Sequence, residues 1–347
     1  MAQRPPQSRD TEQRRRLERQ RRIAREKLTA HRGMATWGER LVPLGEFREE
    51  ARRTGRRLSQ EERDAERRAY RSPAGGDPTP VEGPFGRIAV FGGVYSNHPA
   101  LEALLEDAEH RGAEAVYCLG DLGAFGPNPE KVRPLLAEGK VLTIQGNYEE
   151  SLASGAEDCN CGYTDPRDNH FAAISYRYTA ENCSAEFKEW MGALPKRRRI
   201  RVGERELLAV HGSPRRINEF LFASTTPAPY LEVLLDQEGA DGLLVTHTGL
   251  HWHRRLPSGR DAVNVGAIGR PANDGRRNVW YALLEADGAG GTGLRVEHVP
   301  LEYDWQGLAR EMRREGLPEE FVETVETGWW TTCLEVLPAK ERALSKF

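Results

Sequence analysis

Five short apolar runs in this chain each end in a glycine-rich or polar loop. They are RIAVFGG (87–93), AVYCLGD (115–121), KVLTIQGN (140–147), ELLAVHGS (206–213) and GLLVTHT (242–248). Runs of this length bounded by glycine suit strands that are buried on both faces. Between them, PALEALLEDAEHRG (99–112) sets Leu101, Leu104 and Leu105 on one face and stops at Gly112, as an amphipathic helix does. PEKVRPLLAEG (129–139) reads as a second helix. This alternation predicts an α/β sheet whose polar motifs gather at the carboxyl ends of the strands, where such folds bind ligands. Further on, DAVNVGAIG, NVWYALLEA and LRVEHVPLEY predict three more strands joined by tight turns. Charged amphipathic helices follow at 305–315 and 318–327, with Trp329 and Trp330 expected to cover the core from outside.

The first 84 residues have a different character. They hold 21 Arg or Lys against 14 Asp or Glu, so the remainder must be acidic to give a net charge of −3. Residues 1–71 predict a charged extension, helical or disordered, with too little apolar surface to fold alone. Glu is interleaved with Arg throughout, so the favoured reading is a self-paired solvated helix rather than a nucleic-acid tether. The Pro/Gly-rich stretch 72–86 predicts a linker. The folded domain is placed at 87–300, with helices over 301–347 packing on it. No apolar run is long enough to span a bilayer, and the N-terminus lacks the apolar region of a secretory signal, so no membrane partner is expected. Five cysteines, an odd number, favour reduced thiols and a cytoplasmic location.

The polar motifs are GVYSN (93–97), LGDLGAFGPNP (119–129), QGNYEE (145–150), VHGSP (210–214) and THTGLHWHR (246–254). Together with Asn264–Pro271 (NVGAIGRP), their order resembles the signature blocks of the metallophosphoesterase (calcineurin-like phosphoesterase) superfamily, most closely its small bacterial phosphodiesterase-like members. The resemblance covers roughly residues 86–300. It implies a four-layer α/β/β/α sandwich of two mixed sheets and hydrolysis of a phosphate ester at a pair of metal ions. Phosphoryl transfer suits such a pair, which supplies a nucleophile at neutral pH and positive charge on the phosphoryl oxygens.

Transferred residue by residue, one metal position of that family falls on Gly93, Tyr95, Asp121 and Gly249, where only Asp121 is an ordinary ligand. The other falls on Asp121, Asn147, His211 and His247, which are all intact. One carboxylate, one amide and two imidazoles suit a single Mn, Zn or Fe ion per chain, with open positions for water and a phosphate oxygen. The family's usual acid is replaced by Tyr148, which can donate a hydrogen bond but is a poor base at neutral pH. The resemblance therefore implies a metal-dependent phosphoesterase with a reduced, single-metal site, acting on a phosphomonoester or small phosphodiester. A nucleotide fits this class, though no residue singles one out. Tyr95, Asn97 and Tyr148 would shape the emptied position, and His251, His253, Arg167 and His170 are candidates for holding substrate. The alternative is an inactive binding or scaffold protein on the same fold. Asp168 or Asn169 is expected to cap a turn within 161–171, and a lone Cys159-x-Cys161 is too little for a metal-thiolate site.

Overall fold

The computed structural model describes residues 34–37, 40–43 and 79–344. Among the described residues, one compact unit comprises 79–226 and 240–344, and a second includes Pro227–Gly239. The helix of that second unit, Ala228–Glu238, buries Tyr230, Leu231, Leu234 and Leu235. Strands β1 (Met34–Trp37) and β2 (Arg40–Pro43) pair antiparallel within the stretch expected to be helical or disordered. Their MATW and RLVP segments carry Thr, Trp and Val, which favour strands. The rest of the expected extension, and residues 72–78 of the expected linker, lie outside the described residues.

The large unit is built on two mixed sheets. In the five-stranded sheet, β4 (Arg87–Phe91), β5 (Ala115–Cys118) and β6 (Leu142–Thr143) run parallel. Beyond β4 lie β12 (Val279–Asp287) and β13 (Gly293–Leu301), paired as a long antiparallel ribbon. The six-stranded sheet has the order β10 (Trp252–Arg255), β11 (Asp261–Asn264), β9 (Gly242–Val245), β8 (Arg205–Val210), β7 (Arg197–Val202) and β3 (Val81–Phe85). Here β8, β9 and β11 run parallel to one another. The last residues of the expected linker thus form an edge strand. An edge tolerates Pro84 because no partner on its outer side needs the missing N–H.

Side-chain alternation divides the core. Ile88 and Val90 join Leu207, Ala209, Leu244, Val263, Ala282 and Leu284 in a layer drawn from both sheets. Ala89 and Phe91 face the other way, onto Leu101, Leu104, Phe187, Met191, Leu308, Met312, Phe321 and Val325 from the helices. Burying each large side chain of this kind stabilises the fold by roughly 1.5–3 kcal/mol. The C-terminal helices Trp305–Arg314 and Glu319–Thr327 are therefore part of the main core.

Three departures from the sequence reading bear on the site. β11 and β12 belong to different sheets, so the loop between them crosses from one sheet to the other and carries NVGAIGRP with it. β7, with sequence RRRIRV, has no apolar run to announce it; its Arg199 is buried against Glu206. The stretch expected to be a turn begins the helix Pro166–Glu181, capped by Asp165 rather than Asp168 or Asn169, because Pro166 suits the first helical position and places the cap directly before it.

Candidate active site

The loops that follow β4, β5, β6, β8, β9 and β11 leave the carboxyl ends of their strands. Asp121, His211 and His247 each offer one ligand atom, and these atoms lie within 4.8 Å of one another. All three residues are buried, at 4%, 1% and 7% exposure, so their charge must be balanced locally. Asp121 and His247 hold left-handed backbone angles, with φ of 59° and 41°. Non-glycine residues adopt this region at a cost, and it turns both side chains sharply off their strand ends.

The hydrogen bonds decide which nitrogens are free. His211 Nδ1 is 2.6 Å from the Leu119 carbonyl oxygen and can only donate to it. His247 Nε2 stands likewise 3.2 Å from the Cys161 carbonyl. Each ring's outer nitrogen is therefore the N–H. His211 Nε2 and His247 Nδ1 are left facing each other at 3.0 Å, with the Asp121 carboxylate 3.4 Å from His211 Nε2. Two lone pairs in such contact need a positive centre. A proton on His211 Nε2 supplies one, and a divalent ion supplies a better one with release of that proton. Outer nitrogens tied to carbonyls are also what orients metal-binding imidazoles.

The electrostatics agree. Burial alone would raise the Asp121 carboxyl, but His211 outweighs it and holds the group below the usual carboxylate range. Burial would lower His211, and the Asp121 carboxylate reverses that and raises it. His247 is pushed down to about 3 by burial and by His211, and stays neutral. Asn147 is buried, donates through Nδ2 to the Cys159 carbonyl at 2.8 Å, and leaves Oδ1 without a partner. The next residue's backbone N, on Tyr148, is 3.4 Å from Asp121 Oδ1, and an orphaned amide oxygen together with a carboxylate and two oriented imidazoles is a donor set that fits a divalent ion.

The cleft beside these residues has a volume of about 50 Å³. Tyr95 and Tyr148 both line it, with Arg270 and His247. Tyr148 Oη bonds Ser175 Oγ at 3.0 Å, and burial holds both phenols protonated far above neutral pH. Asn97 lies away from the cleft: its Oδ1 caps the helix His98–His110 at Ala100 N, and its Nδ2 donates to the Ile268 carbonyl. His251 stacks on Trp280 at 4.1 Å and His253 bonds Asp261 at 2.8 Å, both outside the cleft lining. Arg167 and His170 lie at the exposed start of the helix Pro166–Glu181, beside Phe171. Cys159 and Cys161, expected as reduced thiols, are joined by a disulfide, and Asn160 at φ 47° turns the chain between them. Trp330, expected outside, is buried at 1% exposure against Arg270.

Two residues of the site escaped the sequence reading. Glu149 directly follows Tyr148 and ties the Asp121 loop to the Asn147 loop. Arg270 sits inside the NVGAIGRP motif. A carboxylate three residues after a glycine at a helix start is a capping signal that could have pointed to Glu149.

Residues 87–289 match the calcineurin-like phosphoesterase superfamily domain. The chain belongs to that family. Family membership brings phosphoesterase and hydrolase character and dependence on divalent metal ions. Among its relatives is the uncharacterized protein MJ0912 of Methanocaldococcus jannaschii, 22% identical over 249 residues, covering 67% of this chain and 94% of that protein. The solved structure of hypothetical protein PH1004 from Pyrococcus horikoshii has a TM-score of 0.59 at 25% identity, covering 73% of this chain and all of that one. A metallophosphoesterase from Sphaerobacter thermophilus has a TM-score of 0.53 at 25% identity, covering 70% and 98%. Among the described residues, no helix is long and apolar enough to cross a membrane.

Proposed function

We propose that this chain is a metal-dependent phosphoesterase that works with one divalent ion, held by Asp121, Asn147, His211 and His247, and hydrolyses a phosphomonoester or small phosphodiester. The observation that carries this reading is the pair of buried imidazoles whose free nitrogens face each other at 3.0 Å beside Asp121. The positions that would hold a second ion carry Gly93, Tyr95 and Gly249. A Cβ on Gly93 would come within 2.8 Å of the Tyr95 ring, so the phenol occupies the space an Asp would need there.

When bound, a divalent ion supplies Lewis acidity and a nucleophile at neutral pH. The chain's own contribution is orientation and proton supply. The Leu119 and Cys161 carbonyls fix both imidazole tautomers. Tyr148 keeps its proton and can donate a hydrogen bond to a leaving group in the cleft. Phe125, Phe171 and Phe321 form an apolar wall that limits water around the reacting group.

The test is metal analysis of the purified full chain, alongside turnover of 4-nitrophenyl phosphate and bis(4-nitrophenyl) phosphate with added Mn, Zn or Fe(II). The expected result is one ion per chain with hydrolysis, both lost in His247→Ala. Absence of metal and of turnover with every ion would refute the enzyme and leave the binding or scaffold reading.

A further inference from the structure

Arg270 is 7% exposed, and the groups that meet its charge among the described residues are the Tyr95 and Tyr163 phenols and the Cys333 thiol, which hydrogen-bonds it, with no carboxylate among them. Its Nε is buried without a partner. The guanidinium carbon lies 3.5 Å from the centre of the Trp330 ring, with the Tyr95 and Phe125 rings at 5.8 and 5.9 Å. Aromatic faces attract a cation but do not satisfy its N–H groups. A charge this deeply buried is costly unless an anion meets it. Arg270 also lines the same small cleft as Asp121 and His247.

The setting is rigid. Trp330 Nε1 donates to the Pro271 carbonyl at 2.6 Å, and its backbone N donates to Asn273 Oδ1 at 2.8 Å, so the ring is fastened to the loop that carries Arg270. Tyr95 packs directly on Gly269, where any Cβ would fall within 2.3 Å of it. Gly249 lies on the other side, where a Cβ would stand in ordinary contact, 3.5 Å from the Trp330 ring and 3.7 Å from Arg270 Nη2. The replaced residues Tyr95 and Gly249 thus frame a guanidinium.

We propose that Arg270 is the site's fixed cation for substrate, binding the oxygens of a terminal phosphate next to the ion held by Asp121, Asn147, His211 and His247. The identity of the anion rests on the phosphoesterase reading; the presence of an anion site rests on a buried guanidinium whose Nε is unpartnered and which Cys333, a neutral thiol, meets in place of a carboxylate. A planar guanidinium presents two parallel N–H groups to two phosphate oxygens, a match that a lysine ammonium does not reproduce. The cleft volume of about 50 Å³ is room for a few water-sized groups and so for one tetrahedral oxyanion, not for the organic part of a substrate. The organic group must therefore extend out of the open side, which favours a phosphomonoester over a diester with two such arms.

The experiment is isothermal titration of inorganic phosphate into the full chain as purified, comparing wild type, Arg270→Lys and Arg270→Met, with metal content and thermal midpoint measured on the same samples. Arg270→Met is expected to weaken phosphate binding by about tenfold or more at unchanged metal content, with Arg270→Lys between it and wild type. If the methionine variant does not fold, the lysine variant, which keeps the charge, decides the matter. Wild-type phosphate affinity in the folded variants, or no phosphate binding by wild type, overturns the proposal. Metal absent from every sample while phosphate binding still depends on Arg270 refutes the single-ion phosphoesterase and leaves the anion site standing.

Discussion

Glu149 Oε2 accepts the backbone N–H of Asp121 at 2.8 Å, so one buried carboxylate holds another in place through the main chain. The same oxygen accepts from Gly146 N at 2.7 Å, and Oε1 accepts from Leu122 N at 2.8 Å. The loops after β5 and β6 are thereby locked together, and with them Asp121 and Asn147. Burial and the charge of Asp121 push the Glu149 carboxyl up, while the three N–H bonds pull it back. Glu149→Gln turns one end of this clamp into a donor facing donors. It should destabilise the protein by about 1–3 kcal/mol, the cost of an unmet buried group. Metal affinity should fall by about 10–100-fold, as expected when a partner that orients ligands is lost. Urea unfolding and metal titration read the two effects, and a variant with wild-type metal affinity would show that the clamp does not set ligand geometry.

Asn147 makes the opposite prediction about stability. Its Oδ1 is buried and unpartnered, so the folded protein carries that cost without bound metal. Asn147→Ala loses the 2.8 Å bond to Cys159 but also removes the orphaned oxygen. Metal-free stability should change by less than about 1 kcal/mol, because the lost bond and the relieved group offset each other. Metal affinity should drop strongly. Chelator-treated unfolding curves beside metal titrations check this, and a variant that binds metal as tightly as wild type removes Asn147 from the ligand set.

Gly93 and Tyr95 should be coupled. A Cβ at Gly93 meets the Tyr95 ring at 2.8 Å and Ala267 Cβ at 2.8 Å, and Gly93 sits at φ 51°. Gly93→Asp should therefore be tolerated worse in the native background than beside Tyr95→His, whose ring is shorter. A double-mutant cycle by urea denaturation should give a coupling of about 0.5–3 kcal/mol, the range for residues in contact. Additive effects would mean that the two substitutions are independent.

How far the sequence disclosed this site follows from what kind of signal each residue leaves. Asp121, His211 and His247 stand at the ends of apolar runs, and chain order alone brings such positions to one edge of a sheet. The loop that carries Arg270 crosses between sheets, and hydrophobic periodicity does not reveal which sheet a strand joins. Arg270 also looks like any surface arginine until Trp330, 60 positions later, is seen folded back onto it. β7 was hidden because its buried positions include arginine, whose pairing with Glu206 on β8 is a tertiary fact. His251 and His253 read as candidates for holding substrate because they follow the altered motif, and in the fold one stacks on Trp280 and the other pairs with Asp261.

The contact between the helices His98–His110 and Trp305–Arg314 should depend on pH. Burial would raise the Glu311 carboxyl, but hydrogen bonds from His98, Lys131 and Asn128 outweigh it and lower the group to about 2. A carboxyl depressed in the folded state stabilises above its unfolded value, near 4.5, and that stability drains away as pH falls towards about 2. Glu311 is partly solvated, so the contribution is discounted to on the order of 1 kcal/mol. Glu311→Gln should be less stable than wild type at pH 7, with the gap closing by pH 2 to 3. A gap that stays constant over that range would assign the loss to packing.

Tyr148 separates a chemical role from a packing one. Its ring meets Tyr176 edge-on at 5.7 Å, and its hydroxyl is bonded to Ser175 inside the cleft. Removing only the hydroxyl in Tyr148→Phe keeps the ring contact, so the fold and metal content should be unchanged. If the phenol donates to the leaving group, kcat should fall by about 10²–10⁴-fold, the usual worth of a general acid. KM should move little, because the lost interaction belongs to the transition state. Esters with poorer leaving groups should suffer more than 4-nitrophenyl phosphate, whose leaving group needs little protonation. A Tyr148→Phe enzyme equally active on both kinds of ester leaves Tyr148 as a packing residue and moves leaving-group assistance elsewhere in the cleft.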